Sequence, residues 1–205
     1  PQMRRTDYHM LNGLWEYAFV PADGSSSSED PAHFTAQGII RVPFSPEAPL
    51  SGAGFQLKPR EKMLCERLLS VKRLPSDGSR CILHFGAVDQ YAKVLVNGKV
   101  VVSHIGGYLP FSADITDALQ EGCNTLTVHI EDRSDTSYHS VGKQKLKRGG
   151  MFYTAQSGIW QTVWMEWVPA VYVKKLELTP LYEKETVHVL SLIHISEPTR
   201  LGMIS

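Results

Sequence analysis

The chain has 205 residues, 42% hydrophobic and 20% charged, enough for one domain with a sizeable core and the beginning of a second. Its 21 basic side chains balance 21 acidic ones, which argues against a large basic face that would hold nucleic acid or anionic lipid. No apolar run approaches the ~20 residues of a membrane helix and no charged-then-apolar leader opens the chain, so a cytoplasmic protein without a membrane partner is expected.

Taken in order, the segments predict an all-β protein. The opening Pro1-Gln2-Met3-Arg4-Arg5 has no initiator Met at position 1, so the native N-terminus is expected upstream. Trp15, Tyr17 and Phe19 alternate along a first strand, and residues 21–31, with four consecutive serines, form a solvated loop. A short strand at 39–42 stops at Pro43 and Pro46. Strands at 63–71 and 81–85 flank the turn Pro75-Ser76-Asp77-Gly78. Residues 91–96 and 100–102 face each other across Asn97-Gly98, a pair suited to a type I′ turn because both central residues need positive φ. Strands at 111–115 and 125–130 follow, with Leu119 closing a short helical or turn segment between them. Residues 132–150 are polar, basic and strand-poor, hence a long surface loop. Alternation resumes at 160–167, where Trp160, Thr162, Trp164 and Glu166 oppose Gln161, Val163, Met165 and Trp167; Trp160 and Trp164 are expected in the core. Eight or more short strands without long amphipathic helices point to a β-sandwich, with jelly-roll topology preferred. Val168-Pro169-Ala170 marks a boundary, beyond which 173–179 begins a fresh alternation.

The tail carries a different signature. Leu190-Ser191-Leu192-Ile193-His194-Ile195-Ser196-Glu197-Pro198-Thr199-Arg200 reads as the translation of a common transposase sequencing adapter, and Ile204-Ser205 fits its continuation beyond a sample index. Residues 190–205 are therefore expected to be adapter-derived, with the natural gene running on past Val189. His194 and Glu197 carry no functional argument.

Most chemical motifs are missing. There is no phosphate-binding glycine loop and no G-x-S-x-G elbow. The eight histidines include no H-E-x-x-H, so no metal and no cofactor are expected. Cys65, Cys81 and Cys123 are odd in number and widely spaced, which predicts three buried, reduced thiols. Gly106-Gly107 and Gly149-Gly150 read as turn glycines. Two features invite a functional reading. The loop Asp132-Arg133-Ser134-Asp135, running through His139, Gln144 and Lys145 to Arg148, concentrates carboxylates, amides and cations suited to vicinal hydroxyls. Tyr153 beside it offers an aromatic face for a sugar ring, although on a strand such residues are usually core. Asp132, Asp135, Arg148 and Tyr153 are the candidate substrate-binding residues, and a solvated loop pinned by its own Asp-Arg pair is the competing explanation.

In order along residues 1–170, the motifs resemble glycoside hydrolase family 2. Leu11-Asn12-Gly13-Leu14-Trp15 is similar to that family's opening, and Leu83-His84-Phe85-Gly86-Ala87-Val88-Asp89 leading into Val96-Asn97-Gly98 is the most specific stretch. Gly106-Gly107-Tyr108-Leu109-Pro110-Phe111 and Gln156-Ser157-Gly158-Ile159-Trp160-Gln161 continue it. The resemblance implies a galactose-binding-like jelly-roll sugar-binding domain over 1–170, with 171–189 opening an immunoglobulin-like domain. It implies a parent enzyme that hydrolyses β-linked O-glycosides with retention, through two carboxylates on a later (β/α)₈ barrel. The family's acid/base Glu follows an Asn, whereas Asn12, Asn97 and Asn124 precede Gly, Gly and Thr, so no catalytic residue falls in this chain. Where galactosidase and glucuronidase branches place an Asp reaching the sugar, this sequence has Phe152, and Met63-Leu64 replaces common aromatics. Relatives often assemble through their domains, which keeps a homo-oligomeric parent in view. The alternatives are a stand-alone carbohydrate-binding module and a cell-surface adhesion sandwich, the latter disfavoured because the chain has no N-x-[ST] site.

Overall fold

The computed structural model describes residues 5–25 and 34–195. Most of the serine loop and residues 196–205 of the tail lie outside the described residues. Strands are numbered along the chain. One antiparallel sheet has the order β3 (Gly38–Val42), β2 (Gly13–Pro21), β4 (Glu61–Val71), β9 (Gly122–Glu131), β6 (Tyr91–Val96), β7 (Lys99–Ile105). The second has the order β1 (Tyr8–Met10), β12 (Val163–Val168), β5 (Arg80–Phe85), β8 (Phe111–Asp114). Neighbours that are not consecutive in sequence give the jelly-roll sandwich that the alternation predicts.

Period-two patterning explains the core. In register across the larger sheet stand Tyr17, Cys65, Val128 and Val94, all turned inward. From the smaller sheet Met165, Leu83 and Ala113 meet them in one row, with Val163, Phe85 and Phe111 in the next. The Trp15 indole N–H donates to the Leu11 carbonyl at 2.8 Å, so this fully buried ring satisfies its polar edge. Asn97 and Gly98 adopt φ of 50° and 77°, as the type I′ turn requires.

Several expectations fail for physical reasons. Trp164 is not in the core: the strand starts at Val163, and Val163 and Met165 are the inward row. Trp164 lies on the outer face, stacked on its cross-strand partner His84 at 4.7 Å and 10°. Behind it Glu166 is buried on that outer face, held by Arg5 Nη1 at 2.6 Å and His84 Nε2 at 3.1 Å. Burial holds the His84 imidazole below its usual pKa, with Glu166 opposing the shift. Cys65 and Cys81 are buried and their thiols are pushed up to about 12 by burial, but Cys123 is exposed at the start of β9. All three are free.

Beyond Pro169 the chain forms a separate hairpin, β13 (Val171–Leu181) against β14 (Thr186–Ile195). Leu190–Ile195 of the expected adapter segment thus pair with β13, because Leu-Ser-Leu-Ile-His-Ile has strand periodicity whatever its origin. No helix among the described residues is long and apolar enough to cross a membrane.

Candidate functional site

Loops gather at the end of the sandwich where β9 stops and β6 starts. Tyr91 and Glu131 are the last facing pair of the two strands. The Gln90 N–H donates to the Glu131 carbonyl at 3.3 Å. Strand alternation continued past Glu131 turns Asp132 inward, and it is only 3% exposed. The Asp89 and Gly158 backbones exchange hydrogen bonds of 2.9 and 2.8 Å, which clasps the loop before β6 to the loop before β12. Glu47 braces the same junction, accepting from the Ser157 hydroxyl at 2.8 Å, the Ser157 N–H at 3.1 Å and the Leu57 N–H at 3.1 Å.

Gly107 is required by close approach. A Cβ there would sit 2.1 Å from Asp89 Oδ1, while Gly106 beside it has φ of +124° and is the turn residue proper. The reading of both as turn glycines is therefore corrected for Gly107. Trp160 is half-buried, not core, and donates its indole N–H to the Gly107 carbonyl at 2.8 Å. The Tyr108 ring stands edge-on to it at 6.4 Å.

The electrostatics of this end are unusual. Burial pushes the Asp89 carboxyl up to about 7, and the nearby Asp132 and Glu47 charges add to the shift. Asp132 is pushed up to about 6 by burial, against the Ser134 N–H that it holds at 2.6 Å. The charge of Glu47 raises it further and His139 lowers it. Tyr108 is raised as well, first by burial and then by the same two aspartates. Among the described residues, no group of three or more His, Cys, Asp or Glu side chains converges as a metal centre.

The loop expected at 132–150 is braced by itself. Gln144–Lys145 (β10) pairs in parallel with Tyr153–Thr154 (β11), and the Tyr153 N–H donates to the Lys143 carbonyl at 2.8 Å. Asp135 is exposed, its Oδ1 accepting the Leu146 N–H at 3.3 Å. Arg148 is exposed and donates to Thr154 Oγ1 at 3.2 Å. Tyr153 is 68% exposed. These three therefore share one surface loop, with charged and aromatic groups open to solvent. Asp132 does not join them at the surface, because its position one residue past β9 carries it into the end of the sandwich. Phe152 lies under the Lys145 ammonium, 4.0 Å from the ring centroid, and supplies no acid. Asp89, Glu47 and Tyr108 were missed as site residues. Their signals were the polar pair Asp89-Gln90 interrupting an apolar run just before a strand, and the place of Asp89 and Tyr108 in the stretches that resemble the family.

Comparison with known proteins then places the chain. The sequence pattern described as "Glycosyl hydrolases family 2, sugar binding domain" matches residues 62–169. A β-glucuronidase of Felis catus is 31% identical over 126 residues, 53% of this chain and 19% of that protein. A β-galactosidase of Thermoanaerobacter pseudethanolicus is 31% identical over 99 residues, 47% of this chain and 12% of that protein. In fold, a Faecalibacterium prausnitzii β-glucuronidase superposes with a TM-score of 0.69 at 23% identity, covering 95% of this chain and 37% of that one. The chain thus spans a minor part of the length of these relatives. It belongs to glycosyl hydrolase family 2, and what it carries of that family is the sugar-binding domain.

Proposed function

We propose that the parent protein is a retaining hydrolase of β-linked O-glycosides, of the β-glucuronidase or β-galactosidase kind, and that this chain alone is inactive. The observation that carries the reading is the family match over residues 62–169 in a chain where no Asn precedes a Glu. The chemistry then belongs to a barrel downstream, and this domain contributes to the rim of the substrate pocket. The self-braced loop with Asp135, Arg148 and Tyr153 exposed supports such a role, since charged groups and an aromatic face suit hydroxyls and a sugar ring. Asp132 acts from behind, by fixing the loop backbone at Ser134. The free state of Cys65, Cys81 and Cys123 supports a reducing compartment such as the cytoplasm.

The test is recovery of the downstream coding sequence, followed by assays with chromogenic β-glucuronides and β-galactosides. The expected result is a barrel carrying Asn-Glu, turnover by the full-length protein and none by the 205-residue chain. A full-length protein that binds sugars and hydrolyses none would instead establish a carbohydrate-binding module.

A further inference from the structure

We propose that this chain self-associates as a twofold dimer through the outer face of β3, β2 and β4, around a ridge made by Leu14 and Ile39. Strand alternation sends Trp15, Ile40 and Cys65 into the core and turns Leu14, Ile39 and Leu68 to the other side of the sheet. These three, with Leu50 from the loop after β3, are all more than half exposed. Apolar side chains scattered singly over a surface need no explanation, but several in one patch mark an interaction site. That they form one patch follows from two hollows that share Leu14 and Ile39 as a common wall. The hollow toward the sheet edge at β3, of about 560 Å³, is bounded beyond the ridge by Arg41, Phe44 and Leu50. The hollow toward β4, of about 350 Å³, is bounded by Glu16, Glu66 and Leu68.

Charge selects the occupant. Glu16 and Glu66 are direct cross-strand partners, and like charges so placed destabilise a sheet unless a cation meets them. Arg67 borders the same hollow, but its guanidinium donates to the Leu11 and Asn12 carbonyls at 2.8 and 3.1 Å. Arg41 is exposed and stands opposite Leu14, diagonal to Glu16. Among the described residues, Arg41, Glu16 and Glu66 form no ion pair. A basic hollow and an acidic hollow thus flank one apolar ridge. A partner of a single charge would satisfy one hollow and oppose the other. A second copy satisfies both: a twofold axis through the ridge lays Leu14 and Ile39 against their copies and brings each Arg41 to the other chain's Glu16–Glu66 pair. This inference does not rest on the glycosidase reading, since a binding module with these residues would present the same face.

The test is sedimentation equilibrium of the full 205-residue chain. The expected result is a monomer–dimer equilibrium with a Kd of roughly 10⁻⁵–10⁻⁴ M, the weak end of specific association, as suits a small patch. Raising salt from about 0.05 to about 0.5 M should weaken it roughly threefold to tenfold. Leu14→Gln, at an exposed position, should weaken it roughly tenfold. Arg41→Glu should be monomeric, and so should Glu16→Arg combined with Glu66→Gln, which keeps an acceptor for the Thr127 hydroxyl. Mixed in equal amounts, those two variants should recover the dimer, because each then meets the opposite charge. A wild-type chain that stays monomeric tenfold above that Kd overturns the proposal and leaves this face to another part of the parent. Association retained by Arg41→Glu overturns it too, assigning the dimer to the β13–β14 hairpin, as does a mixture that stays monomeric.

Discussion

Gly107 and Asp89 form one steric unit that the sequence shows only as a glycine in a Gly-Gly pair and a carboxylate 18 positions earlier. A methyl group at position 107 would lie 2.1 Å from Asp89 Oδ1, so either the carboxylate or the loop must move. Gly107→Ala should therefore cost about 1–3 kcal/mol, the range of overpacking, and Asp89→Ala in the same chain should return most of it. A double-mutant cycle by urea melts checks this, and simple additivity would refute the contact. The same carboxylate sets a pH dependence. The folded Asp89 and Asp132 sit at about 7 and about 6, above the ordinary 3.8, so the folded state retains protons that the unfolded chain releases. Their contribution to stability is complete below about pH 4 and is lost as pH rises to about 7. Asp89→Asn keeps a neutral group there at every pH. Its advantage over wild type should grow from near zero at pH 4 to a few kcal/mol, on the order of 2–4, at pH 7. His84 shifts the opposite way, but both proteins carry it and it cancels in the difference. A difference independent of pH would show that Asp89 ionises normally.

Among the elements, β13 and β14 stand apart, because they pair with each other and with neither sheet of the sandwich. Arg5 ties them to the sandwich: it donates to the Val173 carbonyl at 2.6 Å and lies 5.3 Å from the Tyr172 ring centroid. Leu178, Val187, Val189 and Ile193 are more than half exposed on this ribbon, a surface prone to pairing with other chains. Ending the chain after Pro169 should thus raise solubility. It should lower Tm by no more than roughly 4 °C, the equivalent of about 1 kcal/mol for a domain of this size. A fall beyond about 10 °C would mean that the hairpin completes the sandwich. The strands themselves were largely legible, because β2, β4, β5, β6 and β9 alternate over five or more residues and one row of each is strongly apolar. Alternation failed where both rows carry large side chains. In β12, Trp164 and Glu166 oppose Val163, Met165 and Trp167, and only the pairing with β5 decides which row is inside. Tyr8–Met10 and the two-residue ladder of β10 and β11 are too short to show a period. The burial of Asp132 was hidden for a related reason. It depends on strand β6, some forty residues away, beginning opposite Glu131, and no local composition records that register.

For the whole molecule, the surface loop and the buried cluster should separate in function. Asp135 reaches solvent and makes one hydrogen bond of 3.3 Å to the Leu146 N–H, whereas Asp132 is buried and pins Ser134 at 2.6 Å. In the proposed full-length enzyme, a rim carboxylate acts mainly on the substrate, and a buried one acts on the loop that presents the rim. Asp135→Ala in the parent should then lower kcat/KM tenfold to a hundredfold, about 1.5–3 kcal/mol of charge-assisted hydrogen bonding. The isolated domain should keep its stability within about 0.5 kcal/mol, as exposed substitutions usually do. Asp132→Ala should behave differently, changing the stability of the isolated domain and the kinetics of the parent together, because it frees the Ser134 N–H inside the fold. Parallel melts of the domain and steady-state kinetics of the parent distinguish the two. If Asp135→Ala leaves kcat/KM unchanged, the loop is a solvated brace and the rim of the pocket lies elsewhere on the domain. If Asp132→Ala alters only kinetics and leaves the melt untouched, the buried carboxylate reaches substrate directly, and its assignment as a loop anchor is wrong.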